Sequence, residues 1–125
     1  MATSPEEFIE EYKDALLRVD RAALAAMYHD DAILISPSMG VVAEGREQID
    51  AAWSAIAAMV EEAISFEVLR RDVIETDQYA ICHIEARAVA RLTGVEDRVE
   101  TNIRATEVLR RDAAGHYRYL IDHGT

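Results

Sequence analysis

Glu107 is the acid in this sequence best placed to do chemistry. Strand alternation groups it with Val99, Thr101, Ile103, Ala105 and Leu109, an otherwise mainly apolar face. A carboxyl there either turns outward at a bulge and pairs with an arginine, or sits inside, where desolvation favours its neutral, proton-donating form. Tyr12 falls midway along a helical apolar stripe. Its phenol either donates to an acid or a ligand carbonyl, or is a core tyrosine with one backbone partner. His123 shares an alternating face with Tyr117, Tyr119 and Ile121, pointing inward, while Asp122 takes the opposite face. An imidazole suits acid–base work near neutral pH, and it also suits a structural bond to a backbone carbonyl. His83 stands beside Glu85 and Arg87 on a polar strand face, which reads as cross-strand ion pairing or interface contacts.

Other chemistries find little footing. His29, His83, His116 and His123 contain no i,i+4 pair, so no metal site is expected. Neither a glycine-rich phosphate loop nor a G-x-S-x-G elbow occurs, and no cofactor is expected. Cys82 is the only cysteine, which excludes an intrachain disulfide and a cysteine-based zinc cage. Lys and Arg number 13 against 24 Asp and Glu, a net charge of −11. That field repels phosphate backbones and anionic lipid, so neither nucleic acid nor a membrane surface is an expected partner. No run approaches the roughly 18 consecutive apolar residues of a membrane span. The acidic start, Met1 to Glu7, lacks the order of a secretory signal, so a cytoplasmic location is expected.

The 125 residues correspond to one domain, 1–125, with half the chain hydrophobic. Ser4-Pro5-Glu6-Glu7 has the form of a capping box, with Glu7 reaching back. Phe8, Tyr12, Leu16 and Val19 then recur at helical spacing. Asp20 can cap a second short helix carrying Leu24, Met27 and Tyr28, and Ala32 to Ile35 reads as a short strand stopped by Ser36-Pro37. Val41 to Ala43 forms a brief strand before Gly45, and a third helix carries Ile49, Trp53, Ile56, Met59 and Val60 on one side. The period then turns alternating: Ile64 to about Glu75, Tyr79 to Leu92, about Val95 to Arg111, and Tyr117 to His123, joined by Asp77-Gln78, Thr93-Gly94 and Asp112 to Gly115. The order predicts an α+β fold, three N-terminal helices packed on a curved, mostly antiparallel sheet.

Four segments resemble the nuclear-transport-factor-2-like superfamily, with its ketosteroid-isomerase-like and polyketide-cyclase-like proteins. They are Leu17 to Ala32 with its Asp30-Asp31-Ala32, the helix start Gly45-Arg46-Glu47-Gln48-Ile49, the meander of long strands, and the close Gly115 to Thr125 containing Asp122-His123-Gly124. The resemblance implies a strongly curved sheet around a cone-shaped cavity, commonly in a homodimer. It places Glu107 near the acid that hydrogen-bonds a developing oxyanion, and Tyr12 where an oxyanion-donating tyrosine stands. It puts the isomerase's carboxylate base at the end of the first strand, directly before a proline. Here that position is Ser36, which cannot act as the base, so true ketosteroid isomerisation is not expected; nothing aims Glu44 inward to replace it.

The expected catalytic set is therefore Glu107, Tyr12 and His123, and the expected ligand wall Trp53, Met59, Tyr28, Ser36 and Tyr119. Three functions fit: binding a small apolar or aromatic molecule, an isomerase or lyase using Glu107, His123 and Tyr12, or a non-catalytic dimerisation module. Glu107 and Tyr12 are expected within one bridging water of each other.

Overall fold

The chain's first helix begins where its residues signal it. In the computed structural model, which describes residues 1–124, Ser4 Oγ accepts from the Glu7 N–H at 3.2 Å and α1 (Pro5–Leu17) follows. Glu7 does not complete the capping box; its Oε2 accepts from the Thr3 N–H at 3.1 Å instead. The helix ends in a Schellman turn, with Val19 N–H bonded to Leu16 O and Asp20 N–H to Ala15 O, each at 3.0 Å. Val19 occupies the left-handed position of that turn at φ 51°, where a glycine is usual.

Asp20 Oδ1 caps α2 (Arg21–Ala26) through the Ala23 N–H at 3.0 Å. This helix is shorter than the sequence pattern implied: Tyr28 opens β1 (Tyr28–Ser36) rather than closing α2. The Arg46 guanidinium explains the break, because it donates to the carbonyls of both Ala25 and Tyr28 and ties the α2 end to the strand start. A short 3-10 turn, Pro37–Met39, leads to β2 (Val41–Glu44), and Gly45 at φ 81° turns the chain into α3 (Gly45–Met59).

Four long strands complete the fold: β3 (Val60–Glu75), β4 (Tyr79–Leu92), β5 (Val99–Arg111) and β6 (Tyr117–Gly124). The spatial order is β2-β1-β6-β5-β4-β3, parallel between β1 and β6 and antiparallel elsewhere. The β3–β4 ladder shifts register at Val60/Glu62, Ala63/Ser65 and Val68/Arg70. The sheet is curved and unclosed, and the three helices pack against it.

The β5–β6 ladder contains the irregularity that matters most. Val108 pairs with Ile121 but Leu109 with Tyr119, so Leu120 is an extra residue on β6. Tyr117 and Tyr119 face the core on one side of it; beyond it Asp122 is buried while Ile121 and His123 are exposed. The expected inward placement of His123 is thus reversed, together with the outward placement of Asp122. One bulged residue exchanges the two faces.

Candidate functional site

The small-residue face of β4 is the concave one. Ala80, Cys82, Ile84 and Ala86 are buried against the helices, and further along the strand Ala88 and Ala90 help line a cavity of about 470 Å³. From α1 come Ile9, Tyr12 and Leu16, and from α3 Trp53, Ile56 and Met59. Phe66 of β3 and Ile103 of β5 add to an almost wholly apolar wall. The small side chains of Ala88 and Ala90 help keep this volume open.

One end of the cavity is polar. Glu107 on β5 and Asp122 on β6 are directly opposite each other in the ladder, and both line the cavity. They are 7% and 8% exposed, the two buried charged-type residues of the described chain. No arginine, lysine or histidine lines the cavity among the described residues. The hydroxyl of Tyr28 donates to Asp122 Oδ2 at 2.5 Å. Burial first, then the charge of Asp122, pushes the Glu107 carboxyl well above the ordinary carboxylate range, and donation from the Tyr119 hydroxyl offsets part of this. Burial raises Asp122 above its usual range as well, and donation from Tyr28 and Glu107 together with the charge of His123 offsets part of this. Glu107 is the member of the pair with the stronger preference for its protonated form. Across one rung of the ladder, ionising both buried carboxyls would set like charges against each other, so the pair disfavours double ionisation.

Tyrosines surround this pair. Tyr119 stacks at a tilt on Tyr28, ring centroids 4.7 Å apart, and meets Phe8 edge-on at the same separation. Tyr12 stands edge-to-face with Phe66, Tyr119 and Trp53 at 5.9, 6.1 and 6.4 Å. Burial, followed by the charges of Asp122 and Glu107, raises the Tyr12 phenol well above its usual value, so it stays a donor. Burial likewise leads the upward shifts of Tyr28 and Tyr119. Trp53 lines the cavity, and its buried indole N–H lies toward the Tyr28 hydroxyl without closing a well-formed hydrogen bond.

The structure brings Glu107, Tyr12, Trp53 and Tyr119 to one cavity, with Ser36 on its wall at the end of β1. Tyr119 is the tyrosine whose hydroxyl eases the upward shift of Glu107, while the charges of Asp122 and Glu107 act on Tyr12. Tyr28 lies behind the wall and supports Asp122. Met59 is half exposed at the end of α3, on the cavity margin. His123 is exposed on the opposite sheet face, and Glu44 is exposed on β2, so neither supplies a base inside. Asp122 is the residue that sequence reasoning assigned to the wrong face. Its only sequence signal was its place beside His123 in the closing segment, and nothing in residue type marks Leu120 as bulged.

A family model described as a SnoaL-like domain matches residues 6–120. No curated protein sequence matches the chain. Among solved structures, a provisionally named scytalone dehydratase from Novosphingobium aromaticivorans superposes with a TM-score of 0.83 at 15% identity, over 95% of this chain and 78% of that one. A ketosteroid isomerase-like protein from Erwinia carotovora atroseptica gives 0.81 at 18% identity, over 95% and 90%. A provisionally named calcium/calmodulin-dependent protein kinase type II association domain from Thiobacillus denitrificans gives 0.77 at 19%, over 99% and 95%. At these identities the likeness shows the fold.

Proposed function

This chain belongs to the SnoaL-like domain family, within the nuclear-transport-factor-2-like superfamily, and on that premise we propose that it binds a small, largely apolar molecule, its polar atoms seated at Tyr12, Glu107 and Asp122. The observation that carries the reading is the cavity of about 470 Å³, apolar on its walls and polar at one end. Such a pocket has the size and lining of a small-molecule site. In this reading the whole of 1–125 acts as one cytoplasmic domain.

A second reading, an isomerase or lyase, is favoured by the proton arrangement at Glu107 and Asp122. Such reactions need one group to remove a proton and another to deliver one, and this pair offers an acid beside a carboxylate. Asp122 then takes the place proposed for His123. Ketosteroid isomerisation itself lacks its base, since Ser36 precedes Pro37 and Glu44 is exposed. Homodimerisation through the outer face of β4 and β5 is part of the proposal; exposed Tyr79 and Ile81 on that face support it, as does the association-domain relative. A purely structural dimerisation role has less behind it, because a module of that kind gains nothing from an empty cavity.

Thermal-shift measurement with apolar carbonyl and aromatic compounds tests the binding. A ligand at about 100 times its Kd stabilises by about 2.7 kcal/mol, which raises Tm by several degrees. A library of such compounds that leaves Tm unmoved rejects the reading.

A further inference from the structure

Charge balance inside the cavity narrows the ligand class. Two carboxyl groups line the wall and no cationic side chain does, among the described residues. Asp122 accepts from the Tyr28 hydroxyl at 2.5 Å and faces Glu107 across the ladder; the adjoining His123, exposed on the opposite sheet face, acts on it through its charge but does not enter the cavity. A buried charge is stabilised best by a counter-charge, and this wall supplies only acceptors and neutral hydroxyls. Aromatic rings complete the surroundings: Tyr12, Trp53, Phe66 and Tyr119 all line the same space. Ring faces attract cations within about 6 Å of their centroids.

Resting on the binding reading above, we infer that the cavity is built for a small apolar amine, held as its ammonium ion with the charge at the Glu107–Asp122 pair and the hydrocarbon along Tyr12, Trp53 and Phe66. An ammonium is a donor with no acceptor, which complements a wall that carries two carboxyl groups and no cationic side chain. An anion is excluded twice, by the pair itself and by the net charge of −11, which steers cations toward the protein.

Calorimetric titration of the whole protein near neutral pH with phenethylamine, phenethyl alcohol and phenylacetate tests this, since the three share a skeleton and differ in charge. The amine should bind at least about tenfold more tightly than the alcohol, as a charge-assisted bond requires, and phenylacetate should be weakest. Raising salt to about 0.5 M should leave the preference in place, because a buried pair is little screened, whereas amine collected by surface acids is released. Asp122→Asn should reduce the preference for the amine over the alcohol to about twofold or less. Should that variant fail to fold, the wild-type preference and its salt dependence decide alone. Equal or tighter binding of the alcohol overturns the ammonium inference and leaves the binding reading standing. A preference that vanishes in salt, or that survives Asp122→Asn, overturns it too. Binding of none of the three probes overturns the ammonium inference, and the thermal-shift library then decides the binding reading.

Discussion

The two faces of the β4–β5–β6 sheet carry acids in opposite circumstances. On the outer face Glu85 lies 3.6 Å from His83 and 3.5 Å from Arg104, and Arg87 reaches Glu100 at 3.1 Å. Each charge there has an opposite partner and water nearby. On the inner face Glu107 and Asp122 have each other, two tyrosine hydroxyls and apolar walls. The residue types are the same, and the surroundings alone make one set a solvated ladder and the other a pair that disfavours double ionisation. Burial without a counter-charge separates a candidate site from an ordinary surface.

The widest gap between the faces should appear in pH dependence. Glu107 keeps its proton in the folded state at pH values where an unfolded glutamic acid, with a pKa of about 4.3, has lost it. The folded chain then binds more protons than the unfolded one. Its contribution is fully present below the unfolded pKa and is lost as pH rises through the raised folded value. Stability from this source should fall by up to about 1.4 kcal/mol per pH unit within that window. Glu107→Gln keeps a donor toward Asp122 and an acceptor for Tyr119, so urea unfolding across pH should show a flatter profile and equal or greater stability at the alkaline end. A profile unchanged by the substitution would mean that Glu107 is already ionised.

A smaller effect is expected from Tyr28→Phe. It removes a donor from a buried carboxylate while keeping the ring against Tyr119, at a cost of about 1.5–3 kcal/mol. Loss below about 0.5 kcal/mol would indicate a hydrated Asp122 and dissolve the contrast between the faces. The smallest effect belongs to the outer face: Glu85→Gln should change unfolding free energy by about 1 kcal/mol or less and leave the alkaline profile as it is in the wild type.

Much of the fold follows from local pattern. Ser4 and Asp20 cap the first two helices as their positions imply, and the Ala80-to-Ala90 alternation survives intact in β4. Glu107 was legible for the same reason, since β5 keeps its period from Ala105 through Leu109. Asp122 was not, because inserting Leu120 into the β6 ladder depends on how β6 meets both β1 and β5, and alternation along one strand carries no record of its neighbours. Tyr28 was misassigned similarly. The carbonyls that end α2 are bound by Arg46, a partner 18 residues beyond Tyr28.

The open sheet leaves β3 bonded on one side only, along 16 residues. A straight, apolar margin of that length would template further strands from other molecules. This one is interrupted by three register shifts and displays Glu61, Glu62, Glu67, Arg70, Arg71 and Asp72 to solvent. The opposite margin, β2, is four residues long. Fibril-like growth by strand addition is disfavoured at both margins, and any association between copies is directed to the broad sheet face instead.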